Sequence, residues 1–136
     1  FAFVRNPWDL QVSSYHHIRR ERPQLLKPNE TFDEFLRRKL DPSRPWQYHI
    51  DTSITPQSDC LIDLKGNLIV DFIGHYETLQ QDFDECCRRI GIPKIELPHR
   101  RKADDRLAYR DYYTPETQAL VTEAFARDIE ILGYEF

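Results

Sequence analysis

The opening stretch Phe1-Ala2-Phe3-Val4-Arg5-Asn6-Pro7-Trp8-Asp9-Leu10-Gln11-Val12-Ser13-Ser14-Tyr15 constrains the fold more than any other part of the chain. Its first four residues are apolar, too short a run for a helix and the right length for a buried strand. Arg5 stops the run. Asn6 is a preferred N-cap, Pro7 suits the first helical position, and Asp9 sets negative charge in the first turn. The predicted order is strand, tight turn, helix. A helix start leaves backbone N–H groups without intrahelical partners and carries partial positive charge, which favours an anion. Arg5 adds a full charge and a planar fork that matches phosphate oxygens.

Helical spacing sorts the residues that follow. Trp8, Val12 and Tyr15 share one stripe and are expected to face the core. Asp9, Ser13, His16 and Arg20 share another. Ser13 lies about 9 Å along the helix from Pro7, at roughly 1.5 Å per residue. Arg5 and Ser13 are thus placed to grip one phosphate, from the turn and from the helix flank. The same residues also describe a capped helix with an ordinary surface Arg and Ser.

Arg5-Asn6-Pro7, an acid two places on at Asp9, then Ser13-Ser14-Tyr15 resembles the 3'-phosphate-binding motif of sulfotransferases. In that family an Arg and a Ser eight residues later hold the 3'-phosphate of 3'-phosphoadenosine 5'-phosphosulfate, the sulfuryl donor. Arg5 and Ser13 match that spacing. The wording is most similar to the branch of carbohydrate (heparan and chondroitin type) sulfotransferases and their bacterial relatives. Two later stretches resemble the same branch: Asp71-Phe72-Ile73-Gly74-His75-Tyr76-Glu77-Thr78-Leu79, and the ending from Asp128 to Phe136. The resemblance implies an α/β, P-loop-like three-layer sulfotransferase fold, here helix-rich and truncated at its N-terminus. It also implies that a basic loop before the last helices folds over the donor. Arg101, Lys102 and Arg106, in the run from Pro98 to Arg106, are the candidates there. The family's phosphosulfate loop and general base lie upstream of the motif at Arg5, so no catalytic residue is assigned.

The remaining chain reads in order. Thr31 and Glu34 form a capping box for a short helix to about Leu40, with Phe32, Phe35, Leu36 and Leu40 as its apolar face. Trp46 to Cys60 is ambiguous between loop and short helix; the resemblance implies that this region lines the acceptor cleft, which makes His49, Asp51 and Gln57 candidates for acceptor contacts. Leu61–Asp63 and Leu68–Ile73 flank a turn at Gly66, a hairpin whose second strand is expected to enter the main sheet. Thr78 opens a helix to about Ile90, ended by Gly91, with Leu79, Phe83, Cys86 and Ile90 as its buried stripe. Glu77 reads as a structural carboxylate bonding to loop amides. Tyr109, Tyr112 and Tyr113 suit aromatic packing at a helix end. Thr114-Pro115-Glu116 starts a final helix with Leu120, Val121, Ala124, Phe125, Ile129 and Leu132 on its apolar face, and Gly133 ends it.

The chain has 136 residues, enough for one domain spanning 1–136. Its net charge of −4 gives no global basic field of the kind nucleic acid requires. No apolar run reaches membrane-spanning length. The absence of Met and a first residue inside a predicted buried strand both point to a missing N-terminal portion. The three cysteines, Cys60, Cys86 and Cys87, form neither a disulfide framework nor a metal spacing, and no metal is expected.

These readings converge on part of a sulfotransferase that takes 3'-phosphoadenosine 5'-phosphosulfate and a hydroxyl acceptor, with a glycan suggested by the branch. The fragment is expected to hold the 3'-phosphate grip and to be inactive alone. The alternatives are a non-catalytic nucleotide-binding or interaction domain, and a P-loop kinase relative. The resemblance places bacterial relatives in the cytoplasm and animal ones in the Golgi lumen; the compartment stays open.

Overall fold

A computed structural model describes residues 1–44, 52–98 and 106–136. The strand β1 covers Ala2–Val4 and leads through Arg5 and Asn6 into helix α1, Pro7–Glu21. The Asn6 side chain accepts from the amides of Trp8 and Asp9, as an N-cap should. Helix α2, Phe32–Lys39, begins with the Thr31–Glu34 capping box. A second strand, β2, covers Ile73–His75; helix α3 follows at Leu79–Ile90 and ends at Gly91 in the left-handed conformation. Helices α4, Pro115–Ala124, and α5, Ala126–Leu132, close the chain.

Among the described residues the sheet has two parallel strands, with Ala2 opposite Ile73, Phe3 opposite Gly74 and Val4 opposite His75. The fold is a small, helix-rich α/β domain. The core lies on the other side of α1. Trp8, Val12, Tyr15 and Ile18 meet Phe32, Phe35 and Leu36 of α2 and Val121 and Phe125 of the C-terminal helices. Tyr112 and Tyr113 set their rings edge-on to Phe32, and Phe136 packs edge-on to Trp8. The tyrosines therefore serve aromatic packing.

Four expectations need correction. The strand at residues 1–4 is buried only at Val4, and Phe1 is 59% exposed. The apolar run Leu68–Ile73 is not the second strand. Leu68 joins only a single antiparallel bridge to Ile62, Leu68 and Ile69 are exposed, and the sheet strand starts at Ile73. The strand is set by pairing with β1, where Gly74 lies under the Phe3 ring; a Cβ on Gly74 would come within 2.4 Å of that ring. On α3 the buried pair is Cys86 and Cys87, while Ile90 is exposed. The single final helix is two: Phe125, with φ −120° and ψ 26°, breaks it. Asp128 in the first turn of α5 favours a fresh helix start there.

Candidate functional site

Arg5 sits where β1 hands over to α1. Its backbone is clamped by one side chain: the Arg5 amide donates to Gln57 Oε1 (2.9 Å), and Gln57 Nε2 donates to the Arg5 carbonyl (2.8 Å). Gln57 is thus engaged with the backbone of the turn. Its own amide, with that of Ser58, donates to the fully buried Asp128 carboxylate at 2.7 and 2.8 Å. A chain of contacts therefore runs from α5 through residues 57–58 to Arg5.

The Arg5 guanidinium lies along the flank of α1. Nε donates to Asp9 Oδ2 at 2.5 Å and Nη1 donates to Ser13 Oγ at 2.8 Å. The Tyr76 ring covers its face, 4.0 Å from the guanidinium carbon to the ring centre. Arg106 reaches the same carboxylate from the far end of the chain, donating from Nη2 to Asp9 Oδ1. The structure thus brings Arg5, Ser13 and Arg106 together. Arg101 and Lys102 lie outside the described residues, as do His49 and Asp51.

The helix start itself differs from expectation. Pro7 has no N–H. The amides of Trp8 and Asp9 go to Asn6 Oδ1, and that of Leu10 goes to the Asn6 carbonyl. The Asn6 amide donates to Glu77 Oε1 at 2.7 Å, and Tyr134 donates its hydroxyl hydrogen to Glu77 Oε2. Every backbone donor that the sequence offered to an anion has a partner inside the protein. Two guanidiniums around one carboxylate leave one net positive charge beside the Ser13 hydroxyl. What the site offers an anion is therefore side chains, backed by the helix dipole.

A cleft of about 380 Å³ opens against Ser13, lined by Leu10, Ser14, His17, Ile18, Arg22 and Ser53. Behind it the buried Lys39 ammonium donates to the hydroxyls of Ser14 and Ser53. His17 lines this cleft, whereas His16 faces Tyr112, with Nε2 and the phenol oxygen 2.9 Å apart. Burial pushes the Tyr113 phenol well above its usual range, so it remains the donor to the Trp8 carbonyl.

Sequence reasoning missed Gln57, Tyr76 and Asp128 as supports of Arg5. Only the spacing of Arg5 and Asp9, four residues apart, held a readable signal for their ion pair. Among the described residues, no three His, Cys, Asp or Glu side chains converge as a metal site would require. No helix among them is long and apolar enough to cross a membrane.

Comparison with known proteins bears on this geometry. A family model described as "Sulfotransferase family" matches residues 1–135. An uncharacterized protein of Archaeoglobus fulgidus is 36% identical over 107 residues, covering 77% of this chain and 78% of that protein. No solved structure matches.

Proposed function

Because the chain belongs to the sulfotransferase family, we propose that it holds the 3'-phosphate of 3'-phosphoadenosine 5'-phosphosulfate in a domain that serves sulfuryl transfer to a hydroxyl. The observation that carries this reading is the Arg5 guanidinium fixed against Ser13 Oγ at 2.8 Å, with Arg106 drawn to the same place. An Arg fork beside a hydroxyl supplies charge-assisted donors to phosphate oxygens. The cleft beside Ser13 offers room for the nucleotide. In the reaction, the acceptor oxygen bonds to sulfur as the sulfur–oxygen bond to the 5'-phosphate breaks. A base takes the acceptor proton, and adenosine 3',5'-bisphosphate leaves. Catalysis of this kind rests on positioning and on charge stabilisation. The residues named here supply positioning. A carbohydrate acceptor and a P-loop-like three-layer architecture for the whole protein belong to the same proposal.

The test is calorimetric titration of adenosine 3',5'-bisphosphate into the full-length protein, with adenosine 5'-monophosphate as control. Binding that depends on the 3'-phosphate is expected. Equal binding of the two nucleotides would overturn the assignment of Arg5 and Ser13. Release of adenosine 3',5'-bisphosphate from the sulfuryl donor with hydroxyl acceptors would then separate transfer from binding alone.

A further inference from the structure

Asp9 does more than its place in a first helical turn requires. It is not the cap, since Asn6 Oδ1 already takes the Trp8 and Asp9 amides. Its two oxygens point to two different arginines: Oδ2 accepts from Arg5 Nε at 2.5 Å, and Oδ1 accepts from Arg106 Nη2. The same Arg106 nitrogen lies 3.4 Å from the Asp9 carbonyl oxygen. The three side chains are only 14%, 17% and 18% exposed for Arg5, Asp9 and Arg106, so solvent screens their charges weakly. Without the carboxylate, two guanidiniums this close repel.

We propose that Asp9 is a positioning residue that joins Arg5 and Arg106 into one two-armed receptor for the 3'-phosphate. The inference rests on the assignment of that phosphate to Arg5 and Ser13. Each arginine gives Asp9 one edge and keeps others. Arg5 Nη2, and Nε and Nη1 of Arg106, make no hydrogen bond among the described residues. Those are the donors left for phosphate oxygens. Ser13 and Tyr76 prevent the Arg5 plane from turning as the ligand arrives. Among the described residues Arg106 is hydrogen-bonded only to Asp9, through its carboxylate and its carbonyl oxygen. The opposite arrangement is also chemically defined: a carboxylate that merely fills the anion site would have to be displaced, and removing its charge would strengthen phosphate binding.

The two arrangements give opposite signs in one experiment. The affinities of adenosine 3',5'-bisphosphate and adenosine 5'-monophosphate are measured for the full-length protein and for Asp9→Asn, and the ratio is the readout. A positioning role lowers the ratio about tenfold, the scale for removing a residue that orients a ligand-binding group. A purely structural role weakens both nucleotides alike and leaves the ratio unchanged. A ratio that is unchanged or raised in Asp9→Asn overturns the inference. A parent protein that does not discriminate overturns the underlying site assignment instead. If Asp9→Asn does not fold, Arg106→Gln tests the second arm: a ratio lowered about tenfold supports it, and an unchanged ratio overturns it.

Discussion

The Arg5 guanidinium is fixed by three contacts of different kinds: an ion pair to Asp9, a hydrogen bond to Ser13 and a ring face from Tyr76. Its backbone is fixed separately by Gln57. A side chain so ordered loses little freedom when a ligand binds, which is how pre-organisation raises affinity. Arg5→Ala is expected to weaken adenosine 3',5'-bisphosphate by about 2–4 kcal/mol, the scale for truncating one partner of a partly buried charged contact. Ser13→Ala is expected to cost about 1 kcal/mol, that of one hydrogen bond. Calorimetry reads both, and unchanged affinity in Arg5→Ala would remove the residue from the site. Asp128 is a different case. It is fully buried and satisfies the amides of Gln57 and Ser58, so Asp128→Ala leaves one buried and one partly buried donor unmatched. A loss of about 3 kcal/mol of unfolding free energy is expected in a denaturant titration; a loss under about 0.5 kcal/mol would mean that water replaces the carboxylate. The contact between Arg5 and Ser13 was legible because their spacing is local. Gln57 and Asp128 were not, since each acts on a residue 52 or more positions away, and a carboxylate on an apolar stripe reads as an interruption of the stripe.

Elements with strong local signals came out as read. The Asn6 cap and the Pro7 start, the Thr31–Glu34 box, and the left-handed glycines after α3 and α5 all stand where the sequence puts them. Elements defined by partners did not. The run Leu68–Ile73 has the composition of a buried strand, yet most of it lies beyond the register that β1 imposes. Glycine decides the register at Phe3–Gly74, where only a missing Cβ lets the ring lie across the strand. Gly74→Ala is expected to destabilise the domain by about 1–3 kcal/mol, the range for overpacking. Thermal unfolding of the variant checks this; a parental midpoint would mean that Phe3 swings aside without cost. The break at Phe125 had no Gly or Pro to announce it. Its sign was the acid at Asp128, which served as evidence only once the new helix start was seen.

Across the whole molecule, several carboxyls are held below their ordinary values. At Glu30 burial raises the pKa, but the two-pronged bond from Arg38, the Lys27 amide and the nearby positive charges outweigh it. The His75 amide does most to lower Asp82, with Thr78 adding to it against burial. Hydrogen bonds from Arg88 and Arg89 lower Glu85 from 4.5 to about 2. A carboxyl depressed in this way stabilises the fold above its unfolded pKa and loses that contribution as pH falls through the folded value. Urea midpoints are therefore expected to fall between about pH 5 and pH 2; a midpoint constant over that window would show that these contacts contribute nothing to stability. The helix-rich α/β class was legible from caps and periodicity, and the family from three short motifs. The assembly of the site was less so, because Asn6 depends on distant residues. Its amide bonds Glu77 and its side chain bonds the Glu135 carbonyl, closing 71 and 129 residues of chain. Those closures have a consequence for synthesis. Asn6 is made well before its partners, and its contact with the Glu135 carbonyl forms only once residue 135 has emerged. Contacts of such span close slowly. Until then Trp8 lacks the Phe136 ring that it packs against, so the nascent chain carries this apolar residue incompletely buried and is open to misassembly over that interval.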